Sequence, residues 1–454
     1  MQSPVFQPAQ PATRAVSCIQ ERSPADLKPW PTNPRTHSDK QLTKIAASIR
    51  RFGFTTPALV DEKGVILSGH GRVAAAKEMG LPSIPVRVAS GWSAADKRAY
   101  VIADNKLALL SSWDPALLKA EMELLIAEEF EIEVTGFSTA EVDLMFDDQP
   151  GDPDGLQPED VTEVVVSRLG DLWQCGSHGL LCGDALAAGS YTALLGNEQA
   201  QMCISDPPYN VRIDGHVCGS GKVKHREFAM ASGEMSASEF IAFLRLALQH
   251  IHGASEDGAI SFIFMDWRHA PELLDASKPL FGAPRQMAVW VKDNAGMGTF
   301  YRSQHELVFV FKKGEAPHIN NFELGQHGRY RTNVWNYPGV NSGKGRQLLA
   351  LHPTVKPVSL IADAIRDCSQ RKGIILDPFA GSGTILIAAE RTGRLARAIE
   401  LDPQYVDVGV HRWQRLTGKK AVLVATGQTW DQVRAERLAG HAPAGQEVEV
   451  RHGL

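Results

Sequence analysis

Two apolar runs in this chain end on an aspartate that is followed at once by a turn. Met202-Cys203-Ile204-Ser205 leads into Asp206-Pro207-Pro208-Tyr209, and Ile374-Ile375-Leu376 leads into Asp377-Pro378-Phe379-Ala380-Gly381-Ser382-Gly383-Thr384. Short apolar runs bounded by turn residues read as buried strands. The second turn opens a helical pattern, Ile385 to Arg391, and a further strand, Leu395 to Ile399, ends at Glu400. Strand, glycine turn, helix and strand in that order form a βαβ unit. Its glycines let the backbone approach a ligand, and its helix start offers free N–H groups. An acidic residue at the end of the second strand is placed to accept hydrogen bonds from ribose hydroxyls. The turn lacks Gly-Lys-Ser/Thr, which disfavours a nucleoside triphosphate, and lacks the third glycine of a dinucleotide turn. A nucleoside cofactor fits it best.

The proline turn suits a different task. An aromatic exocyclic amine is a poor nucleophile because its lone pair is delocalised into the ring. Accepting hydrogen bonds from both of its N–H groups pulls the nitrogen toward a tetrahedral, reactive shape. Asp206 can accept one, and a carbonyl held outward by Pro207-Pro208 can accept the other, since proline stiffens the turn. Tyr209 can stack on a base taken out of its helix. Such a site works mainly by positioning and electrostatics. Either turn alone would be weak; together they describe a site for a planar amine beside a nucleoside cofactor.

The 454 residues allow two or three domains. No apolar run is long enough for a membrane span, and the Pro- and Gln-rich start lacks a signal core. Six scattered cysteines without a Cys-x-x-Cys pair point to reduced thiols in a cytoplasmic protein and to no metal site. The net charge of −5 hides a strong asymmetry. From Glu121 to Glu163 there are 15 acidic residues and no Lys or Arg; from Phe281 to Arg346 there are nine Lys/Arg against four acidic residues. The basic excess lies between the two turns, where a nucleic-acid contact would be useful.

The pattern divides the chain as follows. Residues 1–20 read as disordered. Residues 21–115 form a small α/β unit: a helix from Gln41 to Phe52, strands at Pro57–Val60 and Val65–Leu67, and a helix opened by Gly69-His70-Gly71-Arg72. Residues 116–163 read as a helical and acidic linker whose first helix packs back on that unit. The larger domain spans 164–426, beginning with a hairpin around Gly176–Gly179, and 427–454 form a tail.

Residues 164–418 resemble the amino-group DNA methyltransferases of the permuted class, in which the catalytic Asp-Pro-Pro-Tyr precedes the Phe-x-Gly-x-Gly segment. His352-Pro353-Thr354-Val355-Lys356-Pro357, Gly183-Asp184 and Glu400-Leu401-Asp402-Pro403-Gln404-Tyr405 match further segments of that family. The resemblance implies a doubly wound, mostly parallel Rossmann-like sheet, S-adenosylmethionine as cofactor and double-stranded DNA as partner. It assigns Asp206, Pro207, Pro208 and Tyr209 to the target base. It assigns Asp377, Phe379, Gly381, Ser382, Gly383 and Glu400 to the cofactor, with Asp184 and Lys356 as further contacts. An aspartate before Pro-Pro-Tyr is more typical of adenine N6 than of cytosine N4 targets, so adenine is favoured. Target recognition is expected within 211–350, with Lys222, Lys224, His225, Arg226, Arg302, Arg329 and Arg331 as DNA contacts, mostly to phosphate.

Residues 27–115 resemble the ParB-like (Spo0J-like) N-terminal domain through Asn33-Pro34-Arg35, Gly69-His70-Gly71-Arg72 and Ala103-Asp104-Asn105-Lys106. That implies a smaller α+β domain ahead of the sheet. Gly71 stands where the family has an arginine, which puts nucleotide (CTP) binding in question and leaves Arg72 as a phosphate or DNA contact. Three readings stay open beside adenine methylation: cytosine N4 methylation, methylation of RNA or protein amines, and a ParB-like DNA-binding regulator with a vestigial methyltransferase half. A homodimer and a restriction nuclease partner also stay open.

Overall fold

The computed structural model describes residues 15–146, 164–211, 233–293, 295, 300–322, 330–339 and 355–439. The chain divides into two compact units between Asp147 and Asp148.

The first unit is built on a five-stranded sheet. Its strands are β1 (Ala15–Val16), β2 (Gln20–Arg22), β3 (Ala58–Asp61), β4 (Ile66–Ser68) and β5 (Ile84–Ser90). The path runs β1-β5-β3-β4, with β2 also on β5. Residues 15–22, most of them expected to be disordered, therefore pair with the sheet edge; they are too short and polar to show a strand period. Helices α1 (Asp39–Phe52), α2 (His70–Glu78) and α3 (Ala94–Ala108) complete the domain. Ser38 caps α1, and Ser93 with Asp96 forms a capping box on α3.

The stretch expected to be a linker is folded as far as it is described. Asp114 caps α4 (Pro115–Ala127), Ser138 with Glu141 caps α5 (Thr139–Met145), and a short 3₁₀ turn lies between them. Met122, Ile132 and Val142 form a small core of their own. Phe52 of α1 stacks on Phe130, and Lys44 donates to the Gly136 carbonyl at 2.6 Å. The rest of that stretch, 147–163, lies outside the described residues.

The second unit begins with a hairpin, β6 (Leu172–Cys175) and β7 (His178–Cys182), then α6 (Ala188–Leu195) and β8 (Ala200–Ser205). After β8 come α7 (Ala237–Ala254), β9 (Ser255–Met265), α8 (Ala270–Phe281), β10 (Gln286–Val291), β11 (His305–Lys312) and β12 (Val334–Asn336). The rest is α9 (Val358–Cys368), β13 (Ile374–Asp377), α10 (Thr384–Thr392), β14 (Leu395–Glu400), α11 (Pro403–Thr417), β15 (Val422–Leu423) and α12 (Trp430–Ala439). These strands form one ten-stranded sheet in the order β12-β10-β11-β9-β8-β13-β14-β7-β6-β15. The five central strands, β9, β8, β13, β14 and β7, run parallel to one another.

Helices cover both faces. α9, α10 and α11 bury Leu360, Ile365, Ile385, Val406 and Trp413 on one side. α6 and α7 bury Leu194, Phe240, Leu244 and Ile251 on the other. This is the doubly wound α/β arrangement. The winding runs outward from β8 through α7 to β9, and outward the other way from β13 through α10 to β14. The boundary between β8 and β13 is therefore the switch point of the sheet, where a crevice opens at the strand ends. Both Asp206 and Asp377 stand there.

Two parts of the chain contribute more to the fold than their sequence announces. Most described residues of 211–350, expected to read the target, build α7, β9, α8, β10 and β11 of the sheet. Ala259–Met265 and Leu307–Phe311 are apolar enough to be interior strands. Packing also continues past 426. Trp430 on α12 is 1% exposed, and its indole donates to Asp407 of α11. The same buried carboxylate accepts from the Val166 and Ser167 N–H groups and the Ser167 hydroxyl. Arg437 closes the arrangement on Asp171 and the Val166 carbonyl. Residues 440–454 lie outside the described residues.

Among the described residues, no helix is long and apolar enough to cross a membrane, and no cluster of His, Cys, Asp or Glu is placed to hold a metal. Cys18, Cys175, Cys182, Cys203 and Cys368 are free thiols.

Candidate active site

The two aspartate turns, about 170 residues apart in the chain, become next-door neighbours through the pairing of Met202 with Ile375 and Cys203 with Leu376. The Ser205 hydroxyl donates to Asp377 at 3.2 Å and ties the two strand ends together.

On the β13 side, Gly381 and Gly383 both take left-handed backbone, with φ of 52° and 76°. Gly383 caps α10 without any side-chain acceptor, so the first N–H groups of the helix are open to a ligand. Behind the turn lies Arg412, fully buried. Its Nη1 donates to the Ser382 carbonyl at 2.8 Å, the Ser382 hydroxyl at 3.1 Å and the Thr384 hydroxyl at 3.1 Å. Ser382, expected to touch the cofactor, thus has one acceptor position of its hydroxyl filled by this buried arginine. Phe379 packs near Phe243, and its N–H donates to Asp377.

Glu400 ends β14 beside this turn. One carboxylate oxygen accepts from Gly381 N and the other from Asp402 N, each at 2.8 Å. Each oxygen retains a lone pair for a ribose hydroxyl. Asp184 follows β7 and accepts from Leu186 N. Gly183 N donates to the Glu400 carbonyl at 2.9 Å, which brings that loop alongside. Burial pushes both Asp377 and Glu400 up to about 7, while the N–H groups of Phe379, and of Asp402 and Gly381, pull them back in part.

On the β8 side, the proline turn ends at Asn210, itself left-handed at φ 54°. The Asn210 side chain accepts from Gly233 N and Met235 N and donates to the Met235 carbonyl, which pins the chain beyond the turn. The Tyr209 hydroxyl donates to one oxygen of Asp206. The other oxygen accepts from Lys356 Nζ at 2.5 Å. Lys356, expected at the cofactor, is 7% exposed and directs its ammonium to the Asp206 carboxylate; its backbone carbonyl accepts from the Thr384 hydroxyl of the glycine turn.

Two further charges complete this group, and neither was a candidate from sequence. Glu306 on β11 lies 3.1 Å from Lys356 Nζ and 3.3 Å from the Tyr209 hydroxyl, and Lys292 holds its other oxygen at 2.5 Å. The signal available was a lone carboxylate at the head of an otherwise apolar strand, Leu307 to Phe311.

The DNA candidates divide. Lys222, Lys224, His225, Arg226 and Arg329 lie outside the described residues. Arg302 is exposed, on the connection between β10 and β11, beside the exposed pair Phe300 and Tyr301. Arg331 is engaged elsewhere: its guanidinium pairs with Asp367 and Asp363 of α9 and donates to Tyr337. Those partners occupy it as a structural cation, so it is not presented to a phosphate.

In the first unit a separate cavity of about 670 Å³ is lined by Arg35, His37, His70, Gly71, Arg72 and Asp104, among others. A side chain at Gly71 would meet the side chains of His37 and Ile45 at 3.0 Å, so an arginine there would have to push both aside. Arg72 is left as the cation of that element, with its Nε buried and without a hydrogen-bond partner.

The described residues fit S-adenosylmethionine. Open helix N–H groups, a left-handed glycine pair and carboxylates at Asp377, Glu400 and Asp184 provide partners for a nucleoside's polar groups and for positive charge. The proline turn adjoins them. Residues 200–411 match the N6/N4 methylase family, described as DNA methylase; residues 116–169 match the ParB-methyltransferase HTH domain and residues 9–105 the ParB N-terminal domain. Over 245 residues, 46% of this chain, it is 40% identical to type II methyltransferase M.ScaI of Streptomyces caespitosus and spans 74% of that protein. Over 73 residues, 16% of this chain, it is 47% identical to the ParB-like nuclease domain-containing protein YnaK of Escherichia coli strain K12 and spans 84% of it. The solved structure of PvuII DNA methyltransferase, cytosine-N4-specific, aligns with 59% of this chain and 94% of its own at 14% identity and a TM-score of 0.41. The chain belongs to the N6/N4 DNA methylase family. It is a DNA amino-methyltransferase that uses S-adenosylmethionine and carries a ParB-like domain at its N-terminal side.

Cofactor binding is expected to depend on pH if these two buried carboxylates take part in it. Asp377 and Glu400 titrate at about 7 in the folded protein, against about 4 when unfolded. The folded state therefore keeps their protons longer, and stability falls as pH rises from about 4 to about 7. Binding is expected to work the other way, because accepting on both oxygens and facing positive charge need the ionised form. Affinity for S-adenosylmethionine is expected to rise by up to about tenfold per pH unit, for each group that must ionise, between about pH 5.5 and 7.5. Calorimetry in buffers of different ionisation heat should show proton release in that window. A flat profile, or proton uptake, would remove these two carboxylates from the cofactor site.

Proposed function

We propose that this enzyme is a site-specific adenine methyltransferase that modifies N6 of a flipped base in duplex DNA. The observation that carries the reading is Asp206, a carboxylate acceptor at the switch point, one strand away from the glycine turn. S-adenosylmethionine supplies a methyl group activated on sulfonium. The protein's part is to hold the amine. Asp206 accepts one N–H, and the rigid proline turn offers a carbonyl to the second. The face of Tyr209 stacks on the base while its hydroxyl is tied to Asp206.

The end of the sheet that carries the turn also suits DNA. β11 runs antiparallel to β9, so the residues just before His305 stand at the same end as the C-termini of β8 and β9. Arg302 is there to meet a phosphate, and Phe300 and Tyr301 offer exposed rings for stacking on bases.

Expression in a host free of DNA methylation, followed by sequencing for modified bases, tests the proposal. N6-methyladenine at one defined motif is expected, with fewer marked sites when Arg302→Ala is expressed. N4-methylcytosine would overturn the choice of adenine, and unmarked DNA with methylated RNA or protein would overturn the DNA target.

A further inference from the structure

The charged group around Asp206 is more than an acceptor. Five side chains from three separate parts of the chain meet in the crevice: Asp206 and Tyr209 after β8, Lys292 and Glu306 on the β10–β11 hairpin, and Lys356 before α9. Lys356 Nζ sits between two carboxylates, 2.5 Å from Asp206 and 3.1 Å from Glu306. Aromatic rings wall it in, with Phe264 at 5.0 Å and Trp290 at 5.8 Å from the ammonium. Lys292 braces Glu306 from the far side.

We propose that Lys356 is a positioning residue that fixes the Asp206 carboxylate as a hydrogen-bond acceptor for the target amine, and that Glu306, braced by Lys292, holds Lys356 in place. This deepens the amine-methylation reading and rests on it. A carboxylate accepts on both oxygens, and brings a full charge to the amine, only while it is ionised; once protonated, the oxygen that bears the proton becomes a donor. Asp206 faces conditions that favour protonation: partial burial, the Glu306 charge, and a further carboxylate at Asp377 on the neighbouring strand. Burial pushes Asp206 up and Glu306 adds to that, whereas Lys356 pulls it down. The two carboxylates hold Lys356 above its ordinary value against its own burial. With Tyr209 on one oxygen and Lys356 on the other, the carboxylate plane is set before any base arrives. Each oxygen keeps a second lone pair for an incoming N–H.

The test uses the full chain with aspartate labelled at the carboxyl carbon, the Asp206 resonance being assigned from Asp206→Asn. In Lys356→Met, which keeps bulk and removes charge, the Asp206 midpoint should rise by at least about one pH unit. In Glu306→Gln, which removes a like charge, it should fall. These shifts need no DNA. Single-turnover methyl transfer by Lys356→Met should drop about 100-fold at neutral pH, the loss typical for one preorganised electrostatic contact. It should recover toward higher pH, with S-adenosylmethionine affinity unchanged and Lys356→Arg restoring part of the rate. A merely structural role would not move the two midpoints in opposite directions. An unshifted Asp206 midpoint in Lys356→Met overturns the inference, as does a rise in Glu306→Gln. Opposite shifts in the two variants, with a wild-type protein that transfers no methyl group to DNA, would instead overturn the function on which it rests, leaving the electrostatic assignment standing.

Discussion

Asp206→Ala is expected to slow single-turnover methyl transfer by at least about 10³-fold, as the loss of a charged group aimed at the reacting atom should. Cofactor binding should survive. The carboxylate lies beside the glycine turn, linked to it through Ser205 and Asp377, yet makes none of the turn's own hydrogen bonds. The substitution also takes one of two counter-charges from Lys356, which keeps Glu306 at 3.1 Å. Some loss of stability is therefore expected alongside the loss of rate. Asp206→Asn separates the two roles of the side chain: an amide oxygen still accepts an N–H but carries no charge to oppose Lys356. Its rate should lie between wild type and alanine. Single-turnover transfer from labelled cofactor and an independent titration of cofactor affinity measure both quantities. An alanine variant with a substantial fraction of wild-type rate would move the amine acceptor elsewhere.

Gly383→Ala should damage the opposite half of the site. The residue has φ 76°, where a Cβ costs roughly 1–2 kcal/mol. That Cβ would also stand 2.7 Å from the Cα of Gly409 on α11, a backbone atom that no side-chain rotation can clear. Overpacking of this kind adds about 1–3 kcal/mol. The cheapest relief is for the turn to move off α11, which carries Gly381 N away from Glu400 and re-aims the start of α10. The expected result is a melting temperature lower by several degrees, roughly 2–4 °C per kcal/mol for a unit of this size. Affinity for S-adenosylmethionine should fall far more steeply than stability alone explains. Calorimetric melting and a cofactor titration distinguish the two effects, and near wild-type affinity would show that the turn tolerates displacement.

Those two turns were legible in the sequence because each is local: an apolar strand, an aspartate and a stiff or glycine-rich bend lie within a dozen residues. The doubly wound sheet followed from the resemblance they carry. What escaped was built from distant residues. Glu306 and Lys292 flank a hairpin connection and gain meaning only when β11 is set beside β9 and Lys356 arrives from a separate part of the chain. Lys356 was found but given to the cofactor, since its neighbour in sequence is the glycine segment while its partner in space is Asp206. Ser382 sits within the turn, yet its hydroxyl accepts from Arg412, thirty residues further on. Arg331 looked like a free base among basic neighbours, and nothing nearby in sequence announces Asp363 and Asp367. Short edge strands at 15–22 have no period to read, and α12 is polar along most of its length apart from Trp430 and Val433, the two residues that bury it.

Asp407 joins Val166 and Ser167, where the methyltransferase unit enters its fold, to Trp430, near where the described unit ends. Arg437 repeats the join at Asp171. First and last segments of the unit thus lie side by side, stitched through one buried carboxylate. A sheet closed in this way can be opened at another loop and rejoined here without disturbing any strand neighbour. The order in which the Asp206 and Asp377 turns appear along a polypeptide is then free to change, because their meeting depends on the adjacency of β8 and β13 and not on which is synthesised first.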